Sequence, residues 1–218
     1  MEKTLKSFRA VLFDFDGTLV DSMPYWSQKM CNILDVCGIA VPSDLFTVIT
    51  ALGDAGTAKY FREELGVPLT ESEMIKMMDD FALDKYKTVV EEKPYVRELL
   101  EYLKEKGIDA YVLTASPRRM FEPCLERIGL LSYFKDTWSC EDFGTTKSDT
   151  GIYAAAAERM GVGIKDYAFV DDNCGALETA RRAGVCTVGV FDDFSAAWED
   201  KTVAASDIYV KDFSEFFK

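Results

Sequence analysis

Five short apolar runs punctuate this 218-residue chain: Ala10–Phe13, Ala110–Leu113, Tyr167–Val170, Val185–Val190 and Ile208–Val210. They are continuous rather than alternating. A strand that reads this way buries both faces, as a strand does inside a parallel sheet covered by helices on each side. Between the runs lie helical stretches that stop on glycine. Tyr95–Lys106 places Val96, Leu99, Leu100 and Leu103 on one stripe before Gly107, and Arg118–Ile128, Gly151–Met160 and Gly175–Ala183 stop at Gly129, Gly161 and Gly184. The strand–helix–strand rhythm predicts an α/β fold with a doubly wound parallel sheet.

The rhythm breaks once. From Asp21 to Glu92 there is no convincing strand, and the pattern predicts helices over about Tyr25–Val36, Ser43–Ala51, Thr57–Leu65 and Glu71–Val90. About 70 residues far exceeds an ordinary crossover between two strands. We therefore expect a core of residues 1–20 and 93–218 with an inserted helical domain over 21–92. The insert carries 13 acids and 6 bases, a net −7. Gly53-Asp54-Ala55-Gly56-Thr57 reads as a flexible break between two of its helices.

Composition narrows the chemistry. At 48% apolar, the chain can bury a sizeable core. A net charge of −13 repels nucleic acid and anionic membranes, so the expected partner is a small phosphorylated metabolite met by local cations or backbone N–H groups. There is no histidine, which removes Ser-His-Asp and Cys-His nucleophiles and the usual zinc ligands. The six cysteines form no C-x-x-C and suggest neither a zinc site nor a disulfide frame. The N-terminal residues have no apolar signal-peptide region, and no run of about 18 apolar residues occurs. A cytoplasmic protein, monomeric or weakly dimeric, is the expectation.

Polar residues gather just past the carboxyl ends of three runs: Asp14-Phe15-Asp16-Gly17-Thr18, Thr114-Ala115-Ser116, and Asp171-Asp172-Asn173. In an open parallel sheet these ends share one edge, where ligands bind. Any one of the aspartates could be a turn or helix-cap residue. That reading does not explain why all of them follow apolar strands. Four carboxylates in a small volume raise one another's pKa values, and a hard divalent cation such as Mg²⁺ relieves this.

The stretch from Asp14 to Ser22 resembles the first motif of the haloacid dehalogenase (HAD) superfamily, in its phosphatase branch. The resemblance continues in order through Thr114-Ala115-Ser116, Lys147 and Asp171-Asp172, and the helical insert resembles that superfamily's smaller cap. It implies a phosphoric monoester hydrolase working through an aspartyl phosphate. Asp14 would be the nucleophile and Asp16 the general acid and base. Mg²⁺ would be held by the side chains of Asp14 and Asp172, the backbone carbonyl of Asp16, and Asp171 directly or through water. Thr114 and the Ala115 N–H, with Ser116, Gly17 and Thr18, would hold the phosphoryl group. Lys147 would neutralise charge on Asp14 and phosphate.

The chain departs from the family pattern after Lys147. Many relatives have a proline-rich turn and an acid there; this chain has Ser148-Asp149-Thr150-Gly151. Arg118 and Arg119 could meet phosphate or simply line a solvated helix face. Cys174, opening a helix, reads as packing. A dehalogenase has no use for Asp16. Sugar phosphomutases with this cap tend to carry a cap histidine, where this chain has Met23-Pro24-Tyr25-Trp26. Phosphonate hydrolases need a Schiff-base lysine, and Lys29 fits that place poorly. Tyr25 and Trp26 could face the leaving group or pack the cap. Ester hydrolysis is therefore favoured over a mutase, an inactive phosphate-binding protein or a phosphoaspartate signalling module.

Overall fold

The computed structural model describes residues 4–49 and 52–217. Six strands form one parallel sheet: β1 Ala10–Phe13, β2 Asp109–Thr114, β3 Phe134–Ser139, β4 Tyr167–Asp171, β5 Cys186–Val190 and β6 Ile208–Val210, in the order β3-β2-β1-β4-β5-β6. Every residue of β1, β4 and β5 is buried, which is what their unbroken apolar sequences require. The polar strand β3 has no counterpart among the apolar runs. It lies at the sheet edge, where Lys135 and Asp136 face solvent, and an edge strand tolerates such residues.

By internal contacts the chain divides into two compact units, Met1–Asp21 with Val90–Lys218, and Ser22–Val89. The first holds the sheet and helices α5 Val96–Glu105, α6 Arg118–Arg127, α7 Gly151–Met160, α8 Cys174–Ala183 and α9 Glu199–Ala205. One of its clusters joins Leu12, Leu113, Phe169, Ile152, Tyr153 and Leu177 across the sheet, α7 and α8.

Among the described residues the second unit is helical: α1 Met23–Val36, α2 Leu45–Ile49, α3 Gly53–Glu63 and α4 Glu71–Thr88. Its core is Met30, Ile33, Leu34, Leu45, Phe61, Met74 and neighbours. Thr70 and Glu73 form a reciprocal capping box that starts α4. The expected end of the second helix at Ala51 lies outside the described residues. The expected flexible break at Gly53–Thr57 is corrected: these residues form the first turns of α3. Thr57, Ala58 and Phe61 are buried on one face of that helix, and this packing outweighs the poor helix propensity of Gly53 and Gly56.

Candidate active site

The sheet register builds the site. Phe13 lies opposite Val112 of β2 and Val170 of β4, so the next residues, Asp14 and Asp171, leave the carboxyl edge side by side. The Asp14 N–H continues the ladder by donating to the Val170 carbonyl at 2.9 Å. Asp14, Asp171 and Asp172 are all buried, and each offers a carboxylate oxygen within 4.8 Å of the other two.

Lys147 reaches into this cluster, with Nζ 2.7 Å from Asp14 Oδ1 and 2.8 Å from Asp171 Oδ2. The contact with Asp14 is an ion pair between two buried groups. Lys147 is anchored locally: Tyr153 Oη lies 3.0 Å from the carbonyls of both Lys147 and Ala176. The turn after the lysine is made without proline. The Asp149 carboxylate accepts from the Gly151 N–H at 2.8 Å and from Thr145 Oγ1 at 3.0 Å.

Burial, then the charges of Asp171 and Asp16, push Asp14 up to about 7 against the pull of Lys147. Burial and the charges of Asp171, Asp14 and Asp192 hold Asp172 well above the usual carboxylate range. Burial alone would lower Lys147, but the carboxylates of Asp14 and Asp171 overcome it and hold it well above its ordinary value. Were all three carboxylates ionised, one ammonium would leave two negative charges uncompensated in a dry site, which is why Asp14 and Asp172 resist ionisation there. An all-oxygen donor set with that potential excess of negative charge fits a hard divalent cation.

Asp16 is not in this trio; its Oδ2 accepts from Ser116 Oγ at 2.6 Å. Thr114 Oγ1 accepts from the Ser116 N–H at 3.0 Å, which bends the chain directly after β2. Gly17 has φ +73°, and a Cβ there would stand 2.8 Å from Asp172 Oδ1. Only glycine suits both the left-handed backbone and that approach. Thr18 Oγ1 donates to Asp172 Oδ1 at 3.0 Å, so this hydroxyl is already committed. Asn173 caps α8, its Oδ1 accepting from the N–H groups of Gly175 and Ala176.

Thus Asp14, Asp171, Asp172 and Lys147 meet in one cluster, Gly17 and Thr18 pack on Asp172, and Ser116 joins Asp16 to the end of β2. Of the two arginines that could meet phosphate, Arg118 is committed elsewhere. Arg118 binds Glu122, Asp142 and the Thr137 carbonyl, and Arg119 lies beside it at the start of α6. In the helical unit Lys29 is buried, paired with Asp54 at 2.8 Å and set 3.5 Å over the Trp26 ring. Sequence reasoning missed two residues, Lys93 and Asp192. The Lys93 ammonium donates to the Gly17 carbonyl, the Phe191 carbonyl and Asp192 Oδ2 at 2.8, 2.9 and 2.8 Å. Asp192 follows β5 at the same carboxyl edge, so the rule that found the other acids, applied to Val185–Val190, would have found it too.

Known proteins resemble this chain. Residues 8–184 match the haloacid dehalogenase-like hydrolases. A phosphorylated carbohydrates phosphatase of Thermotoga maritima is 26% identical over 176 residues, covering 81% of this chain and 82% of its own. A phosphoglycolate phosphatase of Escherichia coli K12 is 27% identical over 207 residues, covering 85% and 82%. A solved structure of a candidate beta-phosphoglucomutase from Thermotoga maritima superposes with a TM-score of 0.77 at 26% identity, covering 93% and 94%. The chain belongs to the haloacid dehalogenase-like hydrolase family and is, within it, a phosphoric monoester hydrolase.

Proposed function

We propose that this enzyme hydrolyses a small-molecule phosphate monoester through a phosphoryl group carried on Asp14, with Mg²⁺ as cofactor. The observation that carries this reading is the Asp14 carboxylate. It stands buried at the end of the central strand, 2.7 Å from the Lys147 ammonium and beside Asp171 and Asp172. In the first step a carboxylate oxygen of Asp14 attacks phosphorus. The bond from phosphorus to the ester oxygen breaks, and Asp16 gives that oxygen its proton. In the second step Asp16 takes a proton from water, the water oxygen attacks phosphorus, and the bond to Asp14 breaks to release phosphate.

The remaining residues position and neutralise. Lys147 balances charge on Asp14 and on the phosphoryl oxygens. Thr114 Oγ1 uses a lone pair on the Ser116 N–H, which leaves its proton for a phosphoryl oxygen, beside the Ala115 N–H. Ser116 holds the Asp16 carboxyl in one orientation. Because the Thr18 hydroxyl and the Gly17 N–H are both committed, Gly17 serves the phosphate by the turn it allows, and Thr18 offers its backbone N–H. Asp14 and Asp172, with Asp171 and the Asp16 carbonyl, would hold Mg²⁺. When bound, the ion supplies charge stabilisation and keeps Asp14 ionised at neutral pH.

Phosphorylated sugars and small phosphoacids are the proposed substrate class, in line with the names of the relatives. Selectivity is assigned to the helical unit. All six cysteines are free thiols, which supports a reducing, cytoplasmic setting. No helix among the described residues is long and apolar enough to cross a membrane.

The test is phosphate release from p-nitrophenyl phosphate and a panel of phosphate esters, with and without Mg²⁺, for the wild type and Asp14→Asn. Release that needs Mg²⁺ and is lost in the variant is expected. Equal release by the variant, or a silent wild type, would overturn the reading.

A further inference from the structure

Lys93 lies far from the acidic cluster in sequence, yet its ammonium is spent wholly inside the core. Its side chain is 14% exposed and that of Asp192 5%. One of its three acceptors is the Gly17 carbonyl, at 2.8 Å. The Gly17 peptide is thus pinned at every group. Its N–H donates to the Val20 carbonyl at 3.0 Å, its carbonyl accepts from Lys93, and its Cα faces the Asp172 carboxylate.

The backbone around Lys93 adds a second tie. Lys93 N–H donates to the Leu19 carbonyl, Asp21 N–H donates to the Glu91 carbonyl, and Val20 pairs with Glu92 in an antiparallel bridge. The segments that lead out to the helical unit and back from it are therefore stitched together. The Lys93 side chain extends that stitching to the turn that carries Asp16, Gly17 and Thr18. Asp192 serves it from the other side, with Oδ2 on Lys93 and Oδ1 accepting from the Phe194 N–H at 2.9 Å.

We propose that Lys93 is a positioning residue for the reaction, holding the Gly17 carbonyl so that the turn fixes Asp16 relative to Asp14 and Asp172. It touches no reacting atom. Its neutralisation of Asp192 is a separate, structural task, because removing one partner of a buried pair leaves the other charge uncompensated. The inference rests on the phosphatase reading and can be tested apart from it.

The experiment compares Lys93→Met, Asp192→Asn and the double variant Lys93→Met/Asp192→Asn, using p-nitrophenyl phosphate turnover, thermal unfolding and Mg²⁺ binding by calorimetry. Lys93→Met should melt earlier than wild type, and the double variant should recover most of that loss because the stranded charge is gone. Turnover should not recover. In both variants that lack Lys93, kcat should fall on the order of 100-fold, the cost of a small misplacement at a reacting centre, with KM within about twofold of wild type. Mg²⁺ should still bind both. A double variant with wild-type kcat would overturn the proposal and leave Lys93 a purely structural residue. A fall in kcat matched by loss of Mg²⁺ binding would also overturn it, since the metal ligands would then be what moved. Wild-type turnover in the same assay separates these results from a failure of the phosphatase reading.

Discussion

At the scale of single residues, the site is a problem of negative charge. Asp14, Asp171 and Asp172 are buried together, and Lys147 answers only part of their charge. Lys147→Met should therefore do two things. Turnover should fall at least about 100-fold, because charge on the phosphoryl oxygens loses its partner. Asp14 should also become harder to ionise, so that the acid limb of the pH–rate profile moves to higher pH. An unchanged limb would mean that Lys147 does not govern Asp14. Gly17→Ala should destabilise the protein by about 1–3 kcal/mol, since it forces a side chain into a left-handed backbone and against Asp172. Chemical denaturation measures that cost, and Mg²⁺ titration of the same variant should show weaker binding.

At the scale of elements, packing decides what forms. Phe61 is fully buried in the helical unit, among residues that include Ala58 and Met74. Phe61→Ala should cost about 3–5 kcal/mol in chemical denaturation, and a cost below about 1 kcal/mol would show that this cluster does not hold the unit together. The same packing explains what could be read in advance. β1, β4 and β5 were legible because burial on both faces writes itself as an unbroken apolar run. β3 was not, because Phe134-Lys135-Asp136-Thr137-Trp138-Ser139 lies at an edge and mixes exposed with buried positions. The start of α3 read as a loop because two glycines lie in it, and the buried face that overrules them begins only at Thr57. Asp14, Thr114 and Asp171-Asp172 were legible because they follow apolar runs. Lys93 was not: two of its acceptors are backbone carbonyls and the third lies 99 residues away, which no local pattern records.

At the scale of the whole molecule, the acidic cluster couples stability to pH and metal. Asp14 is raised in the folded state to about 7 from an ordinary 3.8, so the folded protein holds a proton that the unfolded chain gives up. A raised carboxyl contributes stability at low pH that is lost as pH climbs through the folded value. The metal-free protein should therefore melt at progressively lower temperature between about pH 4 and pH 7. Saturating Mg²⁺ binds the ionised form, so its stabilisation should grow over the same interval. Scanning calorimetry with and without Mg²⁺ checks both; a metal-free melting temperature that rises toward pH 7 would contradict the account. The net charge of −13 sets a further condition: an anionic substrate meets a repulsive field over most of the surface, so the site must supply its own cations.

The central claim is that the phosphoryl group passes through Asp14. The most direct measurement is a rapid acid quench of the enzyme turning over a phosphate ester in Mg²⁺, followed by peptide mapping of the protein. The account predicts a phosphorylated peptide whose modified residue is Asp14, absent from Asp14→Asn and gone once substrate is exhausted. Phosphate released at full rate with no phosphorylated Asp14, or with the phosphoryl group on another residue, would contradict it.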